Sequence, residues 1–364
     1  MNELSEARQR INEIDAKIAK LFEARMEAVR DVGEYKIANG MRVFDPSREK
    51  EVIERNIVLI EDAEIRGYYP IFMQNLFAVS RKMETKMMHG ARVAYCGVPG
   101  AFAFESAEKL FPEAEKLSYS DFAAAYEAVR LGDADFAVLP LENSTEGEVG
   151  QVMDLIFYGS LYINGVYDFS VKQNLLGVKG ARLSDIKTVI SHAQALAQTS
   201  EYIREHSYET VEASNTAVAA KKVAENADVS VAAIGSLSAA EIFGLDVIER
   251  SINHNQTNTT RFAIFSRHEN PSCGNEDHSI IVFTSANEAG KLAAALEVIG
   301  RHGYNLRTLR SRPMKGVLWK YYYYAEVEGK LSSEAGKEML LELESQCDML
   351  KIVGTFEYTG MYVD

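Results

Sequence analysis

Two groups of side chains in this 364-residue chain have types and spacings that could handle an anionic small molecule. The first is cationic. Over residues 4–39 apolar positions recur at helical period, with Leu4, Ile11, Ile18 and Val32 on a seven-residue spacing and Ile14, Leu21 and Ala28 beside them. Arg25 occupies a place in that stripe where an apolar residue is expected, and Lys36, eleven residues on, returns to within about 20° of it and about 16 Å further along. Arg48 and Glu49 stand in the first turn of a second helix opened by Asp45-Pro46, an N-cap and a proline at the first helical position. Ser80 and Glu84 share a face, i to i+4, of a third. Inward-facing Arg25, Lys36 and Arg48 make a cationic pocket without metal ligands; on spacing alone, three snorkelling side chains in a helical dimer fit as well.

The second group is mostly uncharged and hydrogen-bonding. Residues 136–139 read as a buried strand ended by Pro140, after which Glu142, Asn143, Ser144 and Thr145 precede Gly147, in the place past a strand's carboxyl end where α/β sheets hold ligands. Ser191-His192 closes another strand, with Gln194 and Gln198 on one face of the following helix, and Thr259-Thr260-Arg261 sets two hydroxyls and a cation ahead of a third. Gly97, Pro99 and Gly100 form a glycine-rich turn before a helix. Singly, each has a structural alternative: a capping serine, a satisfied histidine, a turn asparagine.

The elements that must position these groups fall into three blocks. Residues 1–90 read as helices over 4–39, 46–62 and 68–88; a first helix of about 35 residues is roughly 50 Å long, more than one small domain covers, so a partner chain is expected. Residues 91–270 alternate strands (92–96, 136–139, 187–191, 208–211, 229–234, 261–266) with helices (102–111, 122–131, 193–205, 216–226), which predicts a mostly parallel sheet in two lobes with a cleft between them. A linker at 270–276 leads to 277–364, whose βαββαβ order predicts a ferredoxin-like α+β unit. In its tyrosine-rich strand Trp319, Tyr321, Tyr323, Ala325 and Val327 alternate with Lys320, Tyr322, Tyr324 and Glu326, one face core and the other an interface.

Composition narrows the class. Hydrophobic content of 47%, charged content of 25% and a polar N-terminus describe a soluble cytoplasmic protein, and no run is long enough to span a bilayer. A net charge of −14 argues against nucleic-acid binding, and three scattered cysteines suggest neither disulfides nor zinc.

Arg8 followed by I-x-x-I-D, then Arg25, Gly33, Lys36, Asp45, Arg48 and Glu49, resembles the all-helical chorismate mutase family over most of residues 4–86. That resemblance implies an intertwined dimer, in which Arg8 reaches the partner's site. It also implies a substrate, chorismate, held as a compact chair for a unimolecular [3,3] rearrangement to prephenate. Arg8, Arg25 and Arg48 would clamp carboxylates, Lys36 would stabilise charge on the ether oxygen, and Glu49 would receive the ring hydroxyl. Asp45 and Ser80 complete the implied substrate-binding set. Glu84 stands where many relatives carry glutamine; it can donate to the ether oxygen only when protonated, so mutase turnover is expected to fall with rising pH and E84Q to flatten that profile.

The G-x-P-G-x-F start at Gly97, P-L-E-N-S-x-x-G at 140–147, S-H-x-Q from Ser191, S-x-T-A-x-A-A from Ser214, A-A-I-G-S from Ala232 and T-R-F from Thr260 are similar, in order, to prephenate dehydratase. This implies the two-lobed fold of type II periplasmic binding proteins and loss of water and carbon dioxide from prephenate to give phenylpyruvate. Thr260 would be the catalytic residue, with Asn143, Ser191 and Gln198 in the site. Glu142 is a candidate proton source, and Arg261 is either a carboxylate anchor or a structural ion-pair partner. Gly290, Leu292, Asn305, Ser311, Arg312 and Pro313 resemble the ACT domain that binds phenylalanine for feedback inhibition. Arg310 replaces that motif's glutamate and Lys291 its alanine. The expectation is a homodimer or higher homo-oligomer needing no metal or organic cofactor, with a binding-only sensor and an arogenate dehydratase as rival readings.

Overall fold

Helix α1 (Glu3–Ala38) runs unbroken for 36 residues in the computed structural model, which describes residues 3–255, 257–269, 277–358 and 360–362. The linker expected at 270–276 lies outside the described residues. Two compact units form, Met1–Arg92 and Val93–Asp364. In the first, α1 lies against α3 (Ala63–His89), with α2 (Pro46–Ile57) between them in sequence. Asp45 caps α2 as its sequence predicts, accepting from the Arg48 N–H at 3.0 Å. The second helix stops at Ile57 instead of 62 because Asp62 caps α3, accepting from the Glu64 and Ile65 N–H groups. Gly33 is the buried residue of α1; a Cβ there would meet Met87 at 3.0 Å, so glycine sets the approach of α1 to α3. The apolar stripe is left bare: Leu4, Ile11, Ile14 and Leu21 are 53–70% exposed in the single chain.

The second unit begins with β1 (Arg92–Cys96), α4 (Phe102–Leu110), β2 (Glu115–Tyr119), α5 (Phe122–Leu131), β3 (Phe136–Asn143), β4 (Gly147–Glu148), α6 (Gly150–Tyr158) and β5 (Tyr162–Ser170). A second lobe follows: β6 (Asn174–Gly177), β7 (Thr188–Ser191), α7 (Ala193–Gln198), α8 (Ser200–Glu205), β8 (Glu209–Glu212), α9 (Thr216–Asn226), β9 (Val231–Gly235), α10 (Leu237–Phe243) and β10 (Asp246–Glu249). The chain then returns to the first lobe as β11 (Thr259–Ser266) and ends with β12 (His278–Thr284), α11 (Lys291–Arg301), β13 (Asn305–Pro313), β14 (Tyr321–Glu328), α12 (Glu334–Gln346), β15 (Met349–Phe356) and β16 (Met361–Tyr362). Sheet orders are β16-β5-β11-β3-β1-β2 with β4 beside β3, then β10-β6-β9-β7-β8, then β13-β14-β12-β15. The terminal unit follows its predicted βαββαβ order, and two lobes form as expected, but their sheets are mixed instead of mostly parallel: β11 returns antiparallel to both β3 and β5, and β6 runs antiparallel to β9 and β10.

Three local readings are corrected. Pro140 does not end its strand: β3 continues to Asn143 with Pro140 still opposite Phe262, and Leu141 is the extra residue where the register against β11 slips between Arg261 and Phe262. The helix expected over 193–205 breaks at buried Thr199, whose hydroxyl returns to the Ala195 carbonyl at 2.8 Å. Strands β5 and β6 were not anticipated. Gly165 and a register shift between Ala263 and Phe265 blur the alternation that would mark β5.

Tyr322, Tyr324 and Glu326 form the face of β14 that meets the first lobe, and the sheet's other face packs under its own helices. Tyr322 stacks on Phe157 of α6 with ring centroids 4.1 Å apart. One apolar core therefore runs from Ala94 and Val152 through Ile280, Tyr324 and Phe356. Among the described residues no helix is long and apolar enough to cross a membrane.

Candidate active sites

The helical unit encloses a cavity of about 520 Å³, of a size to take a small organic acid, lined from α1 by Arg25 and Lys36, from α2 by Arg48, Glu49 and Arg55, and from α3 by Ser80, Arg81 and Glu84. Arg25 Nη1 donates to Ser80 Oγ at 2.6 Å, and Lys36 Nζ donates to Glu84 Oε2 at 2.6 Å and to the Val43 carbonyl at 2.7 Å. Burial holds the Arg25 guanidinium below its ordinary value, with Glu84 opposing. Asp45 lines the cavity while capping α2. Arg48 pairs with Glu51 at 2.7 Å on the open side. Arg8 is not brought to this cavity; it is exposed on α1, 17 residues or about 25 Å from Arg25. Sequence reasoning missed Arg81, which pairs with Glu49, and Arg55, which lies seven residues from Arg48 on the same face of α2. That seven-residue repeat was the available signal.

In the second unit a cavity of about 240 Å³ is lined by Asn143 of β3, Thr260 of β11, Gln173 and Asn258 of the connecting segments, His192 and Gln198 at the ends of α7, and Thr216 opening α9. A smaller space of about 220 Å³ adjoins it, sharing Gln194, Gln198 and Asn258. Asn143 Nδ2 donates to Thr260 Oγ1 and to Asn258 Oδ1, both at 2.9 Å, while its Oδ1 accepts the Thr145 and Glu146 N–H groups. Gln173 Nε2 donates to Gln198 Oε1 at 3.2 Å. The side-chain nitrogen Nδ2 of Asn258 and the side-chain oxygen Oε1 of Gln173 are buried without partners among the described residues. None of the residues lining the larger space is Lys or Arg. Gln173 carried no sequence signal, because it sits between two unanticipated strands.

Three predicted site residues lie elsewhere. Alternation along β3 and β11 turns Glu142 and Arg261 to the face opposite Asn143 and Thr260. There Arg261 Nη1 donates to Glu142 at 3.2 Å and, with Nη2, to both oxygens of Glu326 at 3.0 Å; of the two expectations for Arg261, the structural ion pair is the one observed. Glu142 does not line the cavity, so it is not placed to supply a proton there. Ser191 is fully buried, donating to the Ile234 carbonyl at 2.6 Å; its neighbour His192 lines the cavity in its stead.

The residues marked as regulatory gather on two elements of the C-terminal unit. Gly290 is the N-cap of α11 at φ 83°, Leu292 packs on the local core, and Asn305 donates to Glu328 at 2.8 Å. Ser311 and Pro313 lie on edge strand β13, while Arg312 turns to Asp154 (3.4 Å) and Glu148 near the start of α6.

Comparison with known proteins agrees with this geometry. The chain matches the family described as Chorismate mutase type II over residues 7–85 and that described as Prephenate dehydratase over residues 93–270. A "Bifunctional chorismate mutase/prephenate dehydratase" of Neisseria gonorrhoeae is 32% identical over 356 residues, covering 96% of this chain and 95% of its own. Among solved structures, a prephenate dehydratase in complex with L-Phe from Arthrobacter aurescens is 27% identical, with a TM-score of 0.67 over 73% of this chain and 89% of its own. A protein titled as the quorum-quenching acylase GqqA is 30% identical, with a TM-score of 0.69 over 74% of this chain and 98% of its own. With a helical cationic cavity and a two-lobed polar one on a single polypeptide, matched nearly end to end by such a relative, this chain belongs to the family of bifunctional chorismate mutase/prephenate dehydratases.

Proposed function

We propose that chorismate is rearranged to prephenate in the cavity between α1, α2 and α3, and that prephenate is converted to phenylpyruvate in the cavity of the two-lobed unit, within phenylalanine biosynthesis. The observation that carries this is the pair of preformed constellations, Lys36–Glu84 with Arg25–Ser80 and Asn143–Thr260, on a chain whose full length is matched by a bifunctional relative. In the first cavity Arg25, Arg48 and Arg81 supply bidentate clamps for two carboxylates, and Lys36 stabilises the negative charge that grows on the ether oxygen as its bond to carbon breaks. Glu84, accepting from Lys36 at 2.6 Å, holds that ammonium in place. The rearrangement moves no proton between molecules, so fixed charge and a compact substrate conformation are sufficient.

In the second cavity the Thr260 hydroxyl accepts from Asn143, which leaves its own proton free to point at the substrate's C4 hydroxyl. As the C4–O bond breaks, the leaving oxygen takes up a proton and departs as water. The electrons of the bond to the ring carboxylate enter the ring and release carbon dioxide. A hydroxyl is too weak an acid to supply that proton alone; His192, whose Nδ1 accepts from the Gln194 N–H at 3.3 Å, lines the same cavity and is the acid proposed for it. Lining by neutral donors in place of Lys or Arg suits this chemistry, because no salt bridge pins the carboxylate that must leave.

The exposed stripe of α1 and the distance of Arg8 from its own cavity support a homodimer in which Arg8 completes the partner's mutase site. Residues 1–90, 91–270 and 277–364 are read as mutase, dehydratase and ACT domains. Phenylalanine is the proposed feedback effector, bound near Gly290, Leu292, Asn305 and Ser311; the relative solved with L-Phe supports this. One coupled assay tests the whole reading: chorismate in, phenylpyruvate out, with and without phenylalanine. Turnover slowed by phenylalanine is expected. Chorismate and prephenate both left unconsumed overturns the catalytic reading, and calorimetry without heat on adding phenylalanine overturns the effector.

A further inference from the structure

Thr260 and Asn143 face each other across β11 and β3, and the next rung of the same ladder pairs Arg261 with Glu142. The register slip between Arg261 and Phe262 separates these two rungs from the regular ladder that continues toward Ser266. Backbone pairing with β5 on the far side of β11, and with β4 on the far side of β3, holds both strands here, so what remains to be fixed is how the two strand ends face each other across the slip. What lies behind it is a charged frame. Arg261 makes a bidentate pair with Glu326 of β14 at 3.0 Å, reaches Glu142 at 3.2 Å and donates from Nε to Asp168 of β5 at 3.3 Å. Arg310 of β13 donates to the second oxygen of Glu142 at 2.9 Å. Arg307 approaches Glu326 at 3.8 Å, and Tyr358 donates to Asp168 at 2.6 Å. Glu326 is fully buried, and the hydroxyl of neighbouring Tyr324 is buried without a partner among the described residues.

We propose that Arg310 and Glu326, on the C-terminal sheet, are positioning residues for the dehydratase reaction: through Glu142 and Arg261 they fix the strand ends that carry Asn143 and Thr260. The proposal rests on the catalytic reading of Thr260 given above. Stability alone is a weak reason for such a frame, since desolvating an Arg–Glu pair costs about as much as its attraction returns and apolar replacements are often no worse. Its geometry gives the better reason: fork-shaped Arg261 holds three carboxylates from three strands of two sheets in one orientation. Burial pushes the Glu142 carboxyl upward, yet hydrogen bonds from Arg310 and Arg261 outweigh it and leave it below the usual carboxylate range. Arg310, the residue that departs from the regulatory motif, thus serves the dehydratase strand directly, from the strand that also carries Ser311 and Arg312.

The test uses the full-length chain and the variants Arg310→Met, Arg310→Lys, Glu142→Gln and Arg310→Met/Glu142→Gln, with prephenate as substrate. Arg310 is partly exposed, so its replacement leaves little buried charge uncompensated. Misplacing a catalytic hydroxyl acts on turnover more than on binding; the expectation for Arg310→Met is a kcat lower by about tenfold with KM within about twofold. Arg310→Lys restores most of the loss, and the double variant is no slower than Glu142→Gln alone. A kcat for Arg310→Met within about twofold of wild type, or a loss that lysine does not restore, overturns the proposal. Wild-type turnover of prephenate, measured alongside, tests the catalytic reading itself.

Discussion

Replacing Thr260 by valine keeps the volume and the β-branch that suit β11 while deleting one oxygen. Two effects separate cleanly. In the resting protein the substitution removes the acceptor of the 2.9 Å bond from Asn143, whose amide still reaches Asn258 Oδ1 at 2.9 Å and the Thr259 carbonyl at 3.2 Å, so the stability loss is about 1 kcal/mol. In the reaction it removes the donor to the departing hydroxyl, an interaction that strengthens as charge grows. Losing a positioned proton donor typically costs ~10²-fold or more, about 2.7 kcal/mol of barrier. The dehydratase kcat of Thr260→Val should fall by that factor, Thr260→Ser should keep most of it, and chorismate consumption by the same samples should not change. Following phenylpyruvate formation and chorismate loss in parallel reads both. A valine variant within about threefold of wild type, or equal loss of both activities, refutes the role given to Thr260.

In the mutase cavity, Lys36→Met should lower chorismate turnover by ~10² while prephenate turnover stays unchanged, because it removes the cation aimed at the ether oxygen. Glu84→Gln puts an amide donor where the carboxylate accepts from Lys36 at 2.6 Å, and chorismate turnover at neutral pH should not fall; a loss of about tenfold contradicts a donor at that position. Arg8→Met and Lys36→Met chains, each inactive as mutase alone, should recover about a quarter of wild-type activity when mixed and re-assembled, since half of the dimers then hold one intact site; no recovery rejects a shared site. Burial pushes the Asp154 carboxyl upward, but hydrogen bonds from Lys315 and Tyr322 and the charge of Arg312 outweigh it and leave it below its ordinary value. A lowered folded value contributes stability that is full above the unfolded value and lost as pH falls through the folded one. Asp154→Asn should therefore lower the urea midpoint at pH 7 by a margin that shrinks as pH falls below the ordinary carboxylate range, and a difference that stays constant into strong acid counts against this pairing.

Local chemistry was the most legible part of the chain. Asp45-Pro46 announces a capped helix because the signal lies within four residues, and the spacing of Arg25 and Lys36 places two cations on one helix face before any neighbour is known. Family resemblance supplied Thr260 and Asn143 as site residues, and the structure joins them by one hydrogen bond. What stayed hidden depended on contacts distant in sequence. Pro140 looks like a strand end until the bulge opposite Arg261 is seen, and only the paired strands show that Glu142 and Arg261 face away from the cavity. Arg310 reads as a lost regulatory residue until β13 sets it beside Glu142, 168 positions earlier. Gln173 could not be found, because Gly165 and an irregular register obscured the strands on either side of it.

Two consecutive reactions in two preformed cavities of one chain leave a signature in time. Purified full-length protein supplied with chorismate, with prephenate and phenylpyruvate quantified over time, tests it most directly. Prephenate rising first and phenylpyruvate following, with prephenate accumulating undiminished in the Thr260→Val protein, is the predicted course. Phenylpyruvate formed equally fast by that variant, or chorismate left intact by the wild-type protein, contradicts it.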